Sequence, residues 1–456
     1  MRIKRSISTL LCVCLLAAAA MIPAGAKTCH CGEIVQVYME GFGSSLYSNY
    51  GTPEQAKVEM ALTDDLPSGI WQLFKGIGLS ALKFSWSPLA TGLGAAANSV
   101  LGHLAMDMDG KSIAPITDHW RLNPEQDHRT QPEYRFHYDF RIDPYEAADQ
   151  LNEFIEAVIK VTGHSKIALT GHSEGAIVCM TYLKVYGTKR LETLILLNGA
   201  WQGLTLVGEL FTGKFGISGA SLTRYLADND DGSGRLKLAM ALLRGSRLLD
   251  FLEPLGDFIL DKMGDQIYAE TLVPLFGSMP MIWAFVPGEY YQQARKHIAG
   301  DPQYAKILAQ SDKYHEQVQS QGGKLLKDAM AKGVKVAIIA SYGSNPMPFS
   351  KNSTYQNDSM IDTAYEAGFA TAAPIGRKLV DNGSKYRSPD GIFDAATCLF
   401  PDLTWFVKNC VHQSSPTREM RQWIIHSKKQ PTIWSNPQWP QYLIKDSEGK
   451  AVPYTG

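Results

Sequence analysis

Short apolar runs alternate with amphipathic stretches along much of the chain. Residues 34–39 are mostly apolar and lead into a glycine-rich stretch at 40–45. Residues 146–162 repeat apolar side chains at helical spacing, and Gly163 is a suitable helix stop. Further runs typical of strands lie at residues 166–170, 194–197, 334–340 and 403–407. This alternation predicts an α/β fold with a mostly parallel sheet.

The alternation stops between residues 202 and 332, where the pattern favours helices. Helix-like stretches occupy residues 236–263 and 290–318, and no strand pattern of comparable strength lies between them. We therefore expect an α/β core in two parts, residues 27–201 and 333–456, interrupted by a helical cap or lid insertion at residues 202–332.

An uncharged segment, residues 271–288, lies inside this insertion. Its prolines are incompatible with a transmembrane helix. Met281, Trp283 and Phe285 are candidates for a lid or an acyl-binding wall. The same residues equally fit a buried part of the cap, so both interpretations stay open.

The first 26 residues have the organisation of a secretory signal peptide. A basic start precedes an apolar run of about 13 residues, which is shorter than the about 20 that a membrane-spanning helix needs. Ala24 and Ala26 form an A-x-A cleavage site. We therefore expect cleavage after Ala26 and a secreted protein.

Composition and charge narrow the classes of function. The chain has 44 Lys and Arg residues against 45 Asp and Glu, and 45% of its residues are hydrophobic, which is typical of a globular protein. Removal of the signal peptide takes three of the 44 basic residues and leaves 41 against 45 acidic ones. No basic run is present in the remaining chain, so nucleic-acid binding is not expected.

Five cysteines remain after removal of the signal peptide. Cys398 and Cys410 flank a predicted strand and are the preferred disulfide pair in an oxidising compartment. Cys29 and Cys31 enclose a histidine, but no second Cys or His pair follows at a zinc-like spacing. We therefore predict no metal site and expect a disulfide or two free thiols there.

Residues 171–175 match the G-x-S-x-G pattern of a nucleophile elbow. The pattern alone has little weight, but here it lies directly between a predicted strand and a predicted helix. A strained strand–turn–helix in this position exposes the serine above the sheet, and the glycines allow the backbones to approach closely. Ser173 is therefore the predicted nucleophile; the alternative is an ordinary serine in a glycine-rich turn.

A nucleophilic serine needs a general base, and four histidines follow Ser173. His297 and His315 fall on polar helices and are expected to be solvated. His426 ends an amphipathic helix, where a cation is common. His412 follows a strand-like run and is the predicted base, with His426 as second choice.

The acid that orients the base is predicted to be Asp358, in the loop after residues 334–340, with Asp362 as the rival. Either aspartate could instead cap a helix or stabilise a turn. The backbone N–H groups of Phe42 and Glu174 are the predicted oxyanion donors.

Six segments follow one another in an order that is typical of a known family: residues 41–45, 138–141, 171–175, 198–203, 278–287 and 342–343. Taken in order, these segments resemble the lecithin–cholesterol acyltransferase-like lipases of the α/β-hydrolase superfamily. Three positions depart from the family pattern. Phe140 stands where the family has tryptophan, and Ser359 follows the acid where the family has glycine. Glu174 follows the nucleophile where the family has a non-acidic residue. The resemblance implies an α/β-hydrolase core and acyl-ester chemistry on lipid-like substrates.

The expected function is that of a secreted serine hydrolase that cleaves carboxylic esters through an acyl-enzyme. This mechanism needs neither a metal nor an organic cofactor. The expected partners are a lipid or ester substrate and, transiently, a membrane or lipid surface. The alternatives are an acyltransferase of the same family and a catalytically inactive α/β-hydrolase that binds lipid or a protein partner.

Overall fold

The structure is a computed structural model that describes part of the chain. The described residues are 29, 31–43, 46–48, 57–60, 104–114, 116, 120–214, 273–345, 354–413 and 416–456. The predicted signal peptide at 1–26 and the predicted helix at 236–263 lie outside them.

A mostly parallel sheet of eight strands forms the centre of the described fold. Its strand order is β4-β1-β5-β6-β7-β10-β11-β12, and only β12 runs antiparallel to its neighbour. These strands are β1 (Gln36–Met39), β4 (Glu133–Phe136), β5 (Ile167–His172), β6 (Leu191–Leu197), β7 (Lys335–Tyr342), β10 (Thr404–Lys408), β11 (Tyr442–Lys445) and β12 (Ala451–Pro453). Two small antiparallel pairs are formed by β2 (Leu46–Ser48) with β3 (Lys57–Met60), and by β8 (Thr371–Ala372) with β9 (Phe393–Asp394).

Helices flank this sheet, so the predicted α/β class is confirmed. The described helices are α1 (Pro144–Thr162), α2 (Gly175–Tyr186), α3 (Thr205–Phe211), α4 (Val273–Phe276), α5 (Pro280–Ala284), α6 (Gly288–Ile298), α7 (Ala305–Tyr314), α8 (Gly322–Ala331), α9 (Thr363–Glu366) and α10 (Arg418–His426). A π-helical turn, His315–Gln319, follows α7. Among the described residues, no helix is both long enough and apolar enough to span a bilayer.

The helix α1 shows how local sequence sets an element. Its N-cap, Asp143, accepts a hydrogen bond from the Tyr145 N–H, and Pro144 occupies the first turn, where no N–H is needed. Gly163 ends the helix with φ 71°, a left-handed conformation that favours glycine. The predicted helix and its stop are therefore confirmed.

Successive residues of each central strand pack into different hydrophobic clusters because side chains alternate between the two faces of a sheet. In β7, Val336 and Ile338 belong to the larger cluster, which includes residues of α1, α2 and the helices between β6 and β7. Ala337 and Ile339 belong to the cluster on the other face, together with residues of α10. The central strands are thus buried on both sides, as expected for parallel strands.

The predicted disulfide between Cys398 and Cys410 is not formed. Neither cysteine is in a disulfide, and both side chains are buried. Cys398 packs in a cluster with Phe393 and Phe406, whereas Cys410 belongs to the cluster that contains Trp405. The strand β10 separates them, so closeness along the sequence does not bring their sulfur atoms together.

One expectation for the helical region also needs revision. His315 is buried rather than solvated, and its ring nitrogens contact the Trp283 carbonyl at 2.9 Å and Gln319 Oε1 at 3.0 Å. Burial lowers the pKa of His315 to about 4, and the hydrogen bonds to Trp283 and Gln319 oppose this shift. His297 is exposed, as expected. The helix α6 and the turn after α7 thus have more internal packing than their polar sequence indicates.

Candidate active site

The predicted site residues meet at the carboxyl edge of the sheet. The glycine-rich turn at residues 41–43 follows β1, Ser173 follows β5, Asp358 lies in the loop after β7, and His412 lies in the loop after β10. Parallel neighbouring strands point their carboxyl ends to one edge, so residues far apart in sequence converge there.

Ser173 occupies a strained turn between β5 and α2. Its φ is 56°, a left-handed conformation that is uncommon for a residue with a side chain. A Cβ added at Gly171 would lie 2.6 Å from the Gly175 carbonyl oxygen, so the tight turn requires glycine there. The Ser173 N–H donates to the Leu197 carbonyl at 3.1 Å, and the Ser173 carbonyl accepts from the Ala200 N–H at 3.0 Å.

The turn after β1 lies against the serine. A Cβ added at Gly41 would be 2.4 Å from Ser173 Cβ, 2.6 Å from Ser173 Oγ and 3.4 Å from the Glu174 nitrogen. Phe42 is the next residue, and its ring contacts Phe140 edge-on. The absence of a side chain at Gly41 therefore leaves open the space between the serine hydroxyl and the Glu174 N–H.

Asp358 and His412 form a buried pair. His412 Nδ1 donates to Asp358 Oδ2, and the His412 N–H donates to the Asp358 carbonyl at 2.7 Å. Asp358 Oδ1 accepts from the N–H groups of Met360 at 3.0 Å and Ile361 at 2.8 Å. Burial alone would raise the pKa of Asp358, but the neighbouring His412 and these donors hold it below its ordinary value. Asp358 is thus an ionised carboxylate that holds the Nδ1 side of the His412 ring.

Glu366, which the sequence analysis did not identify, adds a second carboxyl group to this pair. It is fully buried and hydrogen-bonds to Asp358, while its Oε2 accepts from the Ser341 N–H at 2.8 Å. Burial and the charge of Asp358 raise its pKa well above the ordinary value. Its Oε1 has no donor directed at it among the described residues, as expected for the oxygen that carries the proton. Glu366 is therefore a neutral acid that donates to Asp358.

Asp362, the rival acid, has a different role. Its Oδ2 accepts from the Thr205 N–H and its Oδ1 from the Thr205 hydroxyl, both at 2.7 Å. Burial raises the pKa of Asp362 to about 6. The Asp362 side chain therefore fastens the loop after β7 to the first residue of α3, rather than contacting the histidine. The second-choice base, His426, is exposed at the end of α10 and bonds to the Gln422 carbonyl.

His172 and Asn198 support the loop that carries His412. His172 Nε2 donates to the His412 carbonyl at 3.0 Å, and Asn198 Nδ2 donates to the same oxygen at 3.4 Å. The two imidazole rings lie with their centroids 4.9 Å apart. Burial and the neighbouring His412 lower the pKa of His172 to about 4, so it remains neutral. The only signal for this role in the sequence was the position of His172 beside the predicted nucleophile.

Glu174 faces the protein interior. Its side chain is fully buried, and Oε1 accepts from the Tyr138 hydroxyl at 2.9 Å. Burial raises the pKa of Glu174 well above the ordinary value, so the side chain is neutral at neutral pH. The acidic residue next to the serine therefore adds no charge to the site, and its backbone nitrogen borders the space above Gly41, 3.4 Å from a Cβ placed there.

A cleft of about 400 Å³ opens in front of the serine. Ser173 and His172 line it together with Tyr38, Glu40, Gly41, Phe42, Gly43, Arg135 and Gln413. A larger depression of about 1070 Å³ beside α6 and α8 includes none of the predicted catalytic residues, so the smaller cleft is the candidate site.

The three candidate lid residues lie behind this cleft. Met281 and Trp283 are fully buried and Phe285 is 4% exposed, all within the main hydrophobic cluster. None of them lines the cleft, although the Phe285 ring contacts Phe42 with a centroid distance of 6.2 Å. In this structure all three are core residues, and the Phe285 ring packs against the glycine-rich turn.

A scan against protein-family models and a search of the curated proteins find no match for this chain.

Proposed function

We propose that the protein is a secreted serine hydrolase of the α/β-hydrolase type that cleaves carboxylic esters, with lipid-like esters as the substrate class. The observation that carries the proposal is the strained backbone at Ser173, at the same sheet edge as the buried Asp358–His412 pair. A buried carboxylate bonded to an imidazole, on loops beside a serine elbow, is the arrangement that nucleophilic acyl transfer requires.

In the proposed mechanism, His412 Nε2 takes the proton of the Ser173 hydroxyl while Oγ attacks the ester carbonyl. Asp358 holds His412 Nδ1 and stabilises the imidazolium that forms. Within the described residues no hydrogen bond joins Ser173 to His412. Such contacts are often long in the absence of substrate and tighten in the reacting complex.

The N–H groups of Phe42 and Glu174 are the proposed oxyanion donors. The open space above Gly41 lies between the Ser173 hydroxyl and the Glu174 nitrogen, which is where the oxygen of a tetrahedral intermediate would need to sit. When the intermediate collapses, the bond to the alcohol breaks, and the alcohol leaves with the proton that His412 took from Ser173. Water then attacks the acyl-enzyme while His412 Nε2 takes a proton from it, and this proton passes to Ser173 Oγ as the carboxylic acid departs.

The test is hydrolysis of p-nitrophenyl esters of increasing acyl length, with labelling by a fluorophosphonate probe. Ser173→Ala is expected to abolish both hydrolysis and labelling. His412→Ala is expected to lower kcat about 10⁴-fold, whereas His426→Ala, a matched change of an exposed histidine, is expected to leave it unchanged. Equal activity of the Ser173→Ala variant and the parent, with no labelling of Ser173, would instead support a non-catalytic binding protein.

The same assay separates hydrolysis from acyl transfer. An acceptor alcohol added to the reaction yields a transferred ester if the acyl-enzyme favours alcohols over water. A rate of free-acid release that is unchanged by the alcohol supports the hydrolase.

A further inference from the structure

Two cysteine and two histidine side chains, which are common metal ligands in proteins, lie close together at a position remote from Ser173. Cys29 Sγ lies 3.3 Å from His128 Nε2, and Cys31 Sγ lies 3.5 Å from His164 Nε2. All four sulfur and nitrogen atoms lie within 4.8 Å of one another, and the two cysteines are free thiols. The prediction of no metal site considered spacing along the sequence alone. It did not identify these two histidines, which are distant from the cysteines and from each other in sequence.

The sheet topology explains the convergence. Cys29 and Cys31 precede β1, His128 precedes β4 and His164 precedes β5. These three strands are parallel neighbours in the order β4-β1-β5, so the segments before them meet at the amino edge of the sheet. Ser173 follows β5 at the opposite edge, and the six residues of β5 separate the edges by about 20 Å.

We propose that Cys29, Cys31, His128 and His164 bind one zinc ion in a tetrahedral Cys₂His₂ site. Zinc–sulfur bonds of about 2.3 Å and zinc–nitrogen bonds of about 2.0 Å place a sulfur and a nitrogen about 3.5 Å apart around a tetrahedral ion. The 3.3 Å and 3.5 Å separations match this spacing. Two thiolates and two neutral imidazoles are also the donor set that zinc prefers.

Because four protein ligands complete the coordination, the site is structural and has no open position for a substrate. It fastens the segment before β1 to the turn between α1 and β5. The Cys29 N–H already donates to the Gly163 carbonyl at 2.9 Å in that turn. The ion therefore stabilises the amino edge of three strands, two of which, β1 and β5, lead directly into the proposed active site.

Metal analysis of the purified full chain tests the site. Mass spectrometry of the metal content is expected to find roughly one zinc per chain, and cobalt is expected to replace it with the visible absorption of a tetrahedral thiolate complex. A His128→Ala/His164→Ala variant is expected to lose the ion, and the matched His297→Ala/His426→Ala variant, with two exposed histidines, is expected to keep it.

A second variant tests the site even if the His128→Ala/His164→Ala variant does not fold. Cys31→His keeps four ligands, so it is expected to retain the metal while the sulfur-to-cobalt charge-transfer absorption decreases. A chelator is expected to lower the Tm of the parent and to leave the rate of ester hydrolysis unchanged at temperatures where the chain stays folded.

Three results would overturn the proposal. The first is that the purified chain binds neither zinc nor cobalt. The second is a non-reducing peptide map in which Cys29 and Cys31 are joined by a disulfide. The third is that the exposed-histidine control loses the metal to the same extent as the His128→Ala/His164→Ala variant. Loss of hydrolysis on chelation without any change in Tm would overturn the structural role.

Discussion

Asp358 and Asp362, four residues apart in the loop after β7, hydrogen-bond to different residues. We therefore expect substitution by asparagine to affect activity at one position and stability at the other. Asp358 bonds to His412 Nδ1, so Asp358→Asn is expected to disturb the tautomer and lower kcat about 10⁴-fold. Asp362 bonds only to Thr205 among the side chains that the structure describes, so Asp362→Asn is expected to cost stability and little activity. Ester hydrolysis and thermal unfolding of both variants are the measurements, and the reverse ranking of kcat would identify Asp362 as the acid.

Two substitutions of Glu366, by glutamine and by alanine, are expected to differ in their effect on kcat. A glutamine reproduces the protonated acid, since its oxygen accepts from the Ser341 N–H and its amide donates to Asp358. Glu366→Gln is therefore expected to keep kcat within about threefold of the parent, because it keeps both hydrogen bonds. Glu366→Ala is expected to lower kcat about tenfold or more, since it removes the donor to Asp358.

The circular dichroism spectrum of each Glu366 variant serves as the folding control. A large loss of activity in Glu366→Gln, with the fold intact, would mean that Glu366 acts as a charged group. That result would contradict the neutral state that we assign to it.

At the scale of elements, the turn after β1 must approach β5 closely. Gly41→Ala places a methyl group 2.6 Å from Ser173 Oγ and is expected to lower kcat at least about 100-fold, because it misplaces the nucleophile and the oxyanion donors. Gly300→Ala is the matched control, since a Cβ there meets nothing within 4 Å. Wild-type kcat in Gly41→Ala would show that the turn moves freely and does not form the oxyanion site.

Elements with a strong apolar pattern were predictable from the sequence, and short strands at or next to the edges of the sheet were not. The runs at 166–170 and 334–340 correspond to β5 and β7, whose residues are buried throughout. In contrast, β4 and β11 have four residues each and mix polar with apolar side chains, so their pattern resembles that of a loop.

Only those residues of the candidate site that have a local sequence pattern, or that follow the serine in the expected order, were predictable from the sequence. The serine elbow has a local pattern, and the histidine and aspartate follow it in the expected order. Glu366 and the His128–His164 pair have no such pattern, because they become neighbours only through burial and strand pairing. Contacts between remote segments require the fold itself to be known.

For the whole molecule, the buried neutral acid Glu174 makes stability depend on pH. Its folded pKa is raised, so the folded chain keeps a proton that the unfolded chain releases above about pH 4.3. Stability therefore falls with rising pH by up to about 1.4 kcal/mol per pH unit until the folded pKa is reached. Glu174→Gln removes this dependence.

Thermal unfolding across about pH 5 to about pH 8 tests this effect. The Tm of Glu174→Gln is expected to exceed that of the parent by an amount that grows with pH, whereas exposed Glu316→Gln is expected to follow the parent. Parallel curves for the parent and Glu174→Gln would show that Glu174 is ionised in the folded protein.

The sheet order also determines when a newly made chain acquires its proposed catalytic centre. The elbow on β5 is synthesised early, but β10, which pairs with β7 and carries the loop to His412, is made more than two hundred residues later. Until that strand docks, Ser173 has no base beside it. If the proposed function holds, a chain that is still being synthesised is therefore inactive, and ester hydrolysis begins only after its last third has folded.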